Sequence, residues 1–280
     1  MNEPDFESLR ILLNNAPEED FCGLSRSEVH KLLYQIWTQD SPLQMKTVSY
    51  QTLNRIPFFL LTEKFLNIIH REGNIKLTPN GALQKKYLQE LYDYRLFTEP
   101  LIESGAYKVT REKDLIAIHS MHINTQLSGF VRKINGKLTT TKKCKKLLQS
   151  DQRDKLFKVV LQTYIERFNW AYNDAYTEHP VGQLGWAFTV YLLNHFGDKP
   201  ETIQFYADKY LKAFPVMLLH FKKPLFENSP ESWFAKCYCT RTFERFLKWF
   251  GFVKAEPDYP VTGGSTVMKT QTFTDIFRFV

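Results

Sequence analysis

The hydrophobic pattern of this chain is mostly helical, with apolar residues recurring at intervals of three and four. Ser25 and Glu28 form a capping-box sequence, and the apolar positions after them predict a helix over residues 27–37. Pro57 and Gly73 are placed to begin and end a second amphipathic helix. These signals predict a mainly α protein.

Short strands interrupt the helical pattern. Residues 74–77 alternate as a strand does, and Thr78 and Pro79 then predict the start of another helix. Residues 107–118 alternate on both sides of a polar stretch, which predicts a β-hairpin. Residues 151–213 are almost wholly helical in pattern. The apolar sides of these elements are expected to hold a buried set, namely Leu32, Leu33, Phe65, Ile69, Leu77 and Leu138.

One sequence unit, a helix followed by a glycine turn, a short strand, Leu-Thr and a helix, occurs twice. Residues 71–78 read REGNIKLT and residues 132–139 read RKINGKLT, with Arg, Asn, Lys, Leu and Thr at identical offsets. We therefore expect residues 76–78 and 137–139 to occupy equivalent positions in two superimposable substructures. A third variant, with a helix, a glycine, a strand, a loop and a second strand, closes the chain over residues 240–280.

Residues 73–81 (GNIKLTPNG) and 136–143 (GKLTTTKK) resemble winged-helix proteins, in which a strand of the wing often ends in Leu-Thr before the next helix. The resemblance covers residues 57–150 and 240–280. The chain is also similar to uncharacterised bacterial helical proteins with Leu-Thr-x-x-Gly turns. Winged helices often bind DNA and also serve as protein-interaction modules, so the resemblance implies binding and supplies no catalytic residues.

The length of 280 residues allows one large domain or two small ones. We expect an acidic leader at residues 1–20, a winged-helix-like repeat region at 21–150, and a helical region at 151–280 that ends in a winged-helix-like hairpin. The apolar runs are far shorter than a membrane span, and the acidic N-terminus does not resemble a signal peptide. Four cysteines without a C-x-x-C pair are typical of reduced thiols, so the sequence predicts a cytoplasmic protein.

Charge gives the first functional direction. The chain carries 37 Lys and Arg against 30 Asp and Glu, a net charge of +7, although its first twenty residues are acidic. A basic body favours contact with nucleic acid or another anionic partner. A lysine-rich surface that only maintains solubility is the alternative explanation.

The basic residues concentrate in one segment that contains no acid. These residues are Arg132, Lys133, Lys137, Lys142, Lys143, Lys145 and Lys146. On a helix that begins near residue 140, Lys142, Lys145 and Lys146 share one face, while residues 144, 147 and 148 point the opposite way. Such a ridge is suited to phosphate contact rather than to base reading, and a solvated helix face is the alternative.

Other chemistry-bearing groups are weaker candidates. His119 and His122 have the spacing of one helical turn but lack a third ligand, so they are interpreted as ordinary polar positions without a metal. Asp174, Glu178 and His179 are either an acid–base group or an exposed helix end. We therefore expect no cofactor and a non-enzymatic nucleic-acid-binding function, with DNA the first choice. A protein-interaction scaffold whose hairpins pack internally is the alternative, and an enzyme of unrecognised type is the third reading.

Overall fold

The structure is a computed structural model that describes residues 5–172, 174–176, 179–221, 229–258 and 261–280. Its helices are α1 (Phe6–Asn15), α2 (Arg26–Tyr34), α3 (Tyr50–Leu53), α4 (Pro57–Glu72), α5 (Lys85–Asp93), α6 (Pro100–Glu103), α7 (Ile116–Leu127), α8 (Lys142–Leu147), α9 (Arg153–Glu166), α10 (Trp186–Phe196), α11 (Ile203–Ala213), α12 (Pro230–Tyr238) and α13 (Gln271–Ile276). A π-helix, Cys239–Leu247, follows α12 directly.

The strands are short, and those of the described residues pair in antiparallel fashion. They are β1 (Leu43–Met45), β2 (Ile75–Lys76), β3 (Val131–Ile134), β4 (Lys137–Thr140), β5 (Glu201–Thr202), β6 (Val253–Glu256), β7 (Thr266–Lys269) and β8 (Phe277–Phe279). The prediction of a mainly α protein with short β-hairpins is confirmed.

Local signals fixed several helix ends. The Ser25 hydroxyl accepts the Glu28 amide at 3.3 Å, and the Glu28 carboxylate accepts the Ser25 amide at 2.7 Å, so the predicted capping box is present. The helix ends at Tyr34 rather than at residue 37, because Gln35 leaves the helical conformation with φ −133°. The helix α4 begins at Pro57 and is closed by Gly73, as the sequence predicts.

The described chain forms two compact units. The central unit contains Thr47–Asn169 and Trp249–Gly251, and the terminal unit contains Met1–Lys46, Trp170–Lys248 and Phe252–Val280. The predicted division into residues 1–20, 21–150 and 151–280 concerns segments along the sequence, and it stays a prediction beside this spatial grouping.

The central unit builds a three-stranded sheet in the order β2-β4-β3. Ile75 of β2 pairs with Leu138 of β4, and Val131 of β3 pairs with Thr140 of β4. The helix α4 precedes the sheet, α5 and α7 lie between β2 and β3 in the sequence, and α7 packs against both α4 and α9. Buried aromatic rings, including Phe59 against Phe157, fill the space between these elements.

The predicted repeat of residues 71–78 and 132–139 is not confirmed. The strand segments of the two stretches, β2 and β4, are direct neighbours in one sheet instead of counterparts in two substructures. The matched Lys-Leu pairs obey the same inside–outside alternation, since Lys76 and Lys137 are exposed and the leucines after them, Leu77 and Leu138, are buried.

Two other local predictions in this region are wrong. The helix predicted from Pro79 begins at Lys85, because Thr78 closes a turn through its hydrogen bonds with Ala82. The predicted hairpin at residues 107–118 is a short 3-10 turn, Glu112–Asp114, followed by α7. Because α7 is buried on nearly all sides, its apolar residues fit a strand pattern as well as a helical one.

The terminal unit also builds a three-stranded sheet, in the order β5-β7-β6. The helix α10 precedes β5, and α11, α12 and the π-helix lie between β5 and β6 in the sequence. A two-stranded sheet joins β1 to β8, with Leu43 paired to Phe279. The strands β6 and β7 form a hairpin within residues 240–280, and α13 and β8 follow it.

The predicted core set is buried with one exception. Leu32, Phe65, Ile69, Leu77 and Leu138 are each at most 4% exposed. The exception is a residue on α2, Leu33, which is only half-buried because it lies at the border of the helix's apolar face.

Truncating Leu138 is expected to lower the free energy of unfolding by about 2–5 kcal/mol, since Leu138→Ala leaves a cavity under the central sheet. Chemical denaturation measures this loss. Ile134→Ala on the same hairpin is the matched control, because Ile134 is 45% exposed and its truncation should cost less than about 0.5 kcal/mol. Equal effects of the two variants would contradict the assigned register.

Candidate nucleic-acid interface

The seven predicted cations lie on one hairpin and the helix after it. Arg132 and Lys133 are on β3, Lys137 begins β4, and the four lysines 142, 143, 145 and 146 are on α8. All seven are exposed. We term this set the cationic surface, and it belongs entirely to the central unit.

The hairpin owes its shape to a two-residue turn. Asn135 and Gly136 have φ of +48° and +72°, the left-handed conformation that a type I′ turn requires and that Asn-Gly favours. The register places Arg132 opposite Thr139 and Ile134 opposite Lys137. Directly opposed residues share a face, so these four side chains lie on the face opposite Leu138. Arg132, Ile134 and Lys137 are exposed there, whereas Thr139 is half-buried.

The adjacent strand adds a cation that the sequence analysis missed. Lys76 on β2 is paired with Lys137 on β4, and both are exposed. The pairing brings Lys76 to the outer face of the same sheet. Only the register reveals this neighbourhood, since Lys76 lies far from the basic segment in the sequence.

The orientation of α8 follows from its cap and its buried cysteine. Thr141 is the N-cap, and its hydroxyl accepts the Cys144 amide at 3.2 Å. Cys144 is fully buried, and the apolar surroundings raise the pKa of its thiol to about 12. Leu147 is half-buried beside it. The lysines of α8 therefore point outward, as the helical spacing predicts.

Helix and sheet meet at a shallow groove of about 420 Å³. Its lining combines Lys145 of α8 with Arg132 and Lys137 of the hairpin, and with the amide side chains of Asn74 and Asn135. Three cations and two hydrogen-bonding amides thus converge on one open concavity. This arrangement suits an anionic oxygen-rich group such as a phosphate.

Most of the cationic surface has no acidic counterpart in the described part of the chain. No described carboxylate lies within 4 Å of Arg132, Lys137 or the three lysines 142, 145 and 146, whereas Arg71 pairs with Glu90 at 3.0 Å. One lysine of the surface has a local partner: Lys143 donates to the Ser128 carbonyl at 3.0 Å and lies 5.3 Å from the Phe130 ring centroid. The unpaired cations are the ones available to a ligand.

The two histidines of α7 surround a buried carboxylate that the sequence analysis did not single out. His119 and His122 each place Nδ1 against Oε1 of Glu112, at 2.7 and 2.8 Å. The Leu83 amide donates to the other oxygen of Glu112. The spacing on one helical turn was visible in the sequence, but the carboxylate arrives from a separate 3-10 turn and gave no pattern.

The hydrogen bonds of this cluster are those of a structural clamp. Burial alone would raise the pKa of Glu112, but the hydrogen bonds from both histidines, the charge of His122 and the Leu83 amide lower it to about 2. Within the described ranges, no group of three or more His, Cys, Asp or Glu side chains is arranged to hold a metal ion. The ionised carboxylate ties the segment just before α5, at Leu83, to α7.

The second candidate group, on residues 173–179, is also structural where the structure describes it. Asp174 is almost fully buried and forms a two-point ion pair with Arg241 of the π-helix, at 2.6 and 3.0 Å. Arg241 also donates to the His179 carbonyl at 2.6 Å. Glu178 lies outside the described residues. Since both carboxylate oxygens of Asp174 are occupied by a guanidinium, this residue is not poised for acid–base work.

No helix among the described residues is long and apolar enough to cross a membrane. Residues 56–153 match the family of the Y4jL N-terminal domain. Comparison with curated proteins and with solved structures gives no match. The matched segment runs from the start of α4 to the start of α9, so the whole cationic surface lies within the part of the chain that is similar to the Y4jL N-terminal domain.

Proposed function

We propose that the chain is a non-enzymatic nucleic-acid-binding protein that binds the phosphate backbone of duplex DNA through its cationic surface. The observation that carries this proposal is the convergence of unpaired cations from β3, β4 and α8 on one exposed face. Ammonium and guanidinium groups that lack carboxylate partners are free to replace the counterions condensed on DNA.

The arrangement of elements supports a winged-helix-like unit. In the central unit the order along the chain is α4, β2, α5, the four-residue α6, α7, β3 and β4, and the sheet order is β2-β4-β3. This order resembles that of winged helices, with β3 and β4 as the wing. The four free cysteines, three of them buried, fit the reducing environment of a cytoplasm.

The buried state of α7 points to binding without base reading. This helix lies just before the wing, and most of its side chains are buried, including His119, Met121 and Asn124. It therefore has few side chains left to enter a major groove. Contacts from lysines on the wing and on α8 position the protein on the backbone and carry no sequence information.

Titration of the wild-type protein with fluorescent random duplex and single-stranded DNA at two salt concentrations tests the proposal. If Arg132, Lys137 and the three unpaired lysines of α8 each meet one phosphate, the slope of log affinity against log salt is about −4.5. Duplex affinity should then fall about 500-fold between 50 and 200 mM salt. Absence of binding at low salt would reject the proposal and favour a protein-interaction scaffold.

A further inference from the structure

The central and terminal units share one order of elements. In the central unit a helix (α4) is followed by a strand (β2), by the helices α5 and α7 with the four-residue α6 between them, and by a hairpin (β3–β4). Its strands form a sheet of order β2-β4-β3. In the terminal unit the order is α10, β5, α11, the α12–π-helix pair and the hairpin β6–β7. Its strands form a sheet of order β5-β7-β6. In both sheets the last strand lies in the middle.

The likeness extends to the register and length of the strands. Each hairpin has two strands of four residues. The pair of Lys76 with Lys137 at the start of β4 corresponds to the pair of Thr202 with Thr266 at the start of β7. In each sheet the next residue of the middle strand, Leu138 or Val267, is buried and meets the two-residue strand.

The same three-residue sequence lies at the start of both hairpins. Residues 129–131 and 251–253 read Gly-Phe-Val, and both glycines have positive φ. The amide of Phe130 donates to Thr125 O at 3.1 Å, and the amide of Phe252 donates to Leu247 O at 2.8 Å. Both phenylalanines are fully buried. The turn from helix into hairpin is therefore built alike at both places, although Gly251 itself is grouped with the central unit.

The segment after each hairpin is also alike. Thr141 and Thr270 are N-caps of six-residue helices, α8 and α13, and each hydroxyl accepts the amide three residues on. The Thr141 amide donates to Phe130 O at 2.9 Å, and the Thr270 amide donates to Phe252 O at 3.0 Å. The residue two positions after each helix start, Cys144 or Phe273, is buried. Residue-by-residue correspondence thus continues through both helices.

We infer that the chain contains two diverged copies of one unit, a central copy (residues 57–147) and a terminal copy (residues 186–276), and that duplex DNA is bound only by the central copy. The second half of this inference rests on the proposed function. It follows from what the two copies carry at matching positions of α8 and α13.

Charge is the first difference between the copies. The lysines of α8 at positions 142, 145 and 146 correspond to Gln271, Thr274 and Asp275 of α13. Gln271 donates to Thr274 at 3.1 Å and to Asp275 at 2.8 Å, so these side chains bond to one another. The terminal helix therefore presents a neutral to acidic, internally bonded surface where the central helix presents free ammonium groups.

Coverage is the second difference. The terminal copy continues from α13 directly into β8, which pairs with β1 from the start of the chain. Lys46 donates its amide to Ile276 O at 2.8 Å and its ammonium to Thr274 O at 2.6 Å, so two carbonyls of α13 are taken. The segment that contains β1 and Lys46 thus covers part of α13. The lysines of α8 in the central copy are exposed.

Exchange of residues between copies tests the inference. The variant Lys142→Gln/Lys145→Thr/Lys146→Asp gives α8 the residues of α13 and changes the net charge by −4. The matched control is Lys199→Glu/Lys254→Glu, which makes the same change in net charge at two exposed positions of the terminal copy. Both are titrated with a random duplex of about twenty base pairs at low salt, beside the wild-type protein.

We expect the α8 variant to lose at least tenfold in duplex affinity, and the control to stay within about twofold of wild type. Equal losses would overturn the confinement of binding to the central copy, and so would an α8 variant that binds as the wild type does. If the wild-type protein does not bind duplex DNA, both the proposed function and the inference that only the central copy binds DNA are rejected.

The duplication is tested separately, without nucleic acid. In a hydrogen-exchange experiment the amides of Thr141 and Thr270 should both be protected, because each donates to the phenylalanine carbonyl at the base of its own hairpin. Protection factors of similar size support two copies. Unprotected exchange at either threonine amide, in a protein whose remaining core amides are protected, would overturn the correspondence.

Discussion

Reversing the charge of Lys142, Lys145 and Lys146 is expected to weaken binding to every duplex sequence alike and to flatten the salt dependence by about 2.7 in slope. Each lysine projects from the exposed side of α8 without a carboxylate partner in the described chain. An ammonium group that meets a phosphate releases about one counterion, so each lost contact removes about 0.9 from the slope. Fluorescence anisotropy over a salt series measures both quantities.

The control for this triple reversal carries the same charge change elsewhere in the central unit. Lys108, Lys113 and Lys155 are exposed and lie outside the cationic surface. Their joint reversal to glutamate should leave the salt-dependence slope within about 0.9 of the wild-type value, which is the effect of one phosphate contact. Long-range repulsion is screened over roughly 10 Å at 0.1 M salt. A control that flattens the slope by the same amount would show that net charge alone governs affinity.

Folding should survive the reversal of the α8 lysines. The buried anchor of that helix, Cys144, and the Thr141 cap are untouched by the three substitutions. The far-UV circular dichroism spectrum and the denaturation midpoint should therefore stay close to those of the wild type. A large drop in the midpoint would mean that the lysines support the fold, and would contradict their assignment as exposed contact groups.

A large, pH-dependent effect on stability is expected from Glu112→Gln, which should lower the free energy of unfolding by about 2–4 kcal/mol at neutral pH. The ionised carboxylate accepts from both histidines through one oxygen and from the Leu83 amide through the other. A glutamine keeps one oxygen but turns an NH₂ group toward one of these donors. Because the residue is only 3% exposed, water does not repair the lost bond.

The effect of Glu112→Gln should depend on pH in a defined direction. The folded protein holds the pKa of Glu112 at about 2, below the ordinary value of 4.5, so the ionised carboxylate stabilises the fold at all pH values above 4.5. That contribution, about 3 kcal/mol, is lost as the pH falls from 4.5 toward 2. Urea unfolding of both proteins at pH 7, 5 and 3.5 should show the difference between them narrowing at the lowest pH.

An exposed carboxylate of the same unit gives the control for this stability measurement. Glu72 lies at the end of α4 and pairs with Arg71 at 3.1 Å on the surface. Glu72→Gln should cost less than about 1 kcal/mol, because exposed ion pairs contribute little. A pH-independent gap between Glu112→Gln and the wild type would contradict the role assigned to the ionised carboxylate.

Some of the fold could be predicted because its causes are local. The capping box of Ser25 and Glu28 and the ends of α4 at Pro57 and Gly73 act within one or two helical turns. The faces of α8 follow from helical spacing alone, and the structure orients Cys144 and the lysines accordingly. Each of these features needs no knowledge of the rest of the chain.

The repeat shows how a short match misleads and what signal would have served better. The Lys-Leu pairs of REGNIKLT and RKINGKLT lie at two neighbouring strands of one sheet, where lysine is exposed and leucine is buried. The Gly-Phe-Val triplets at residues 129–131 and 251–253 are shorter, but each opens a hairpin through the same backbone bonds. Thr141 follows Gly129 by twelve residues and Thr270 follows Gly251 by nineteen, so the two segments align only when the longer loop between β6 and β7 is skipped.

The sequence by itself determined the helical class, the caps and the cationic face of α8, because these depend on neighbours a few residues apart. The tertiary structure decided the pairing of β2 with β4, which brings Lys76 beside Lys137, and the convergence of Glu112 with the histidines of α7. It also decided that α7 is a buried helix rather than a hairpin. These outcomes depend on which distant surfaces exclude water together, and burial of that kind leaves no spacing pattern in the sequence.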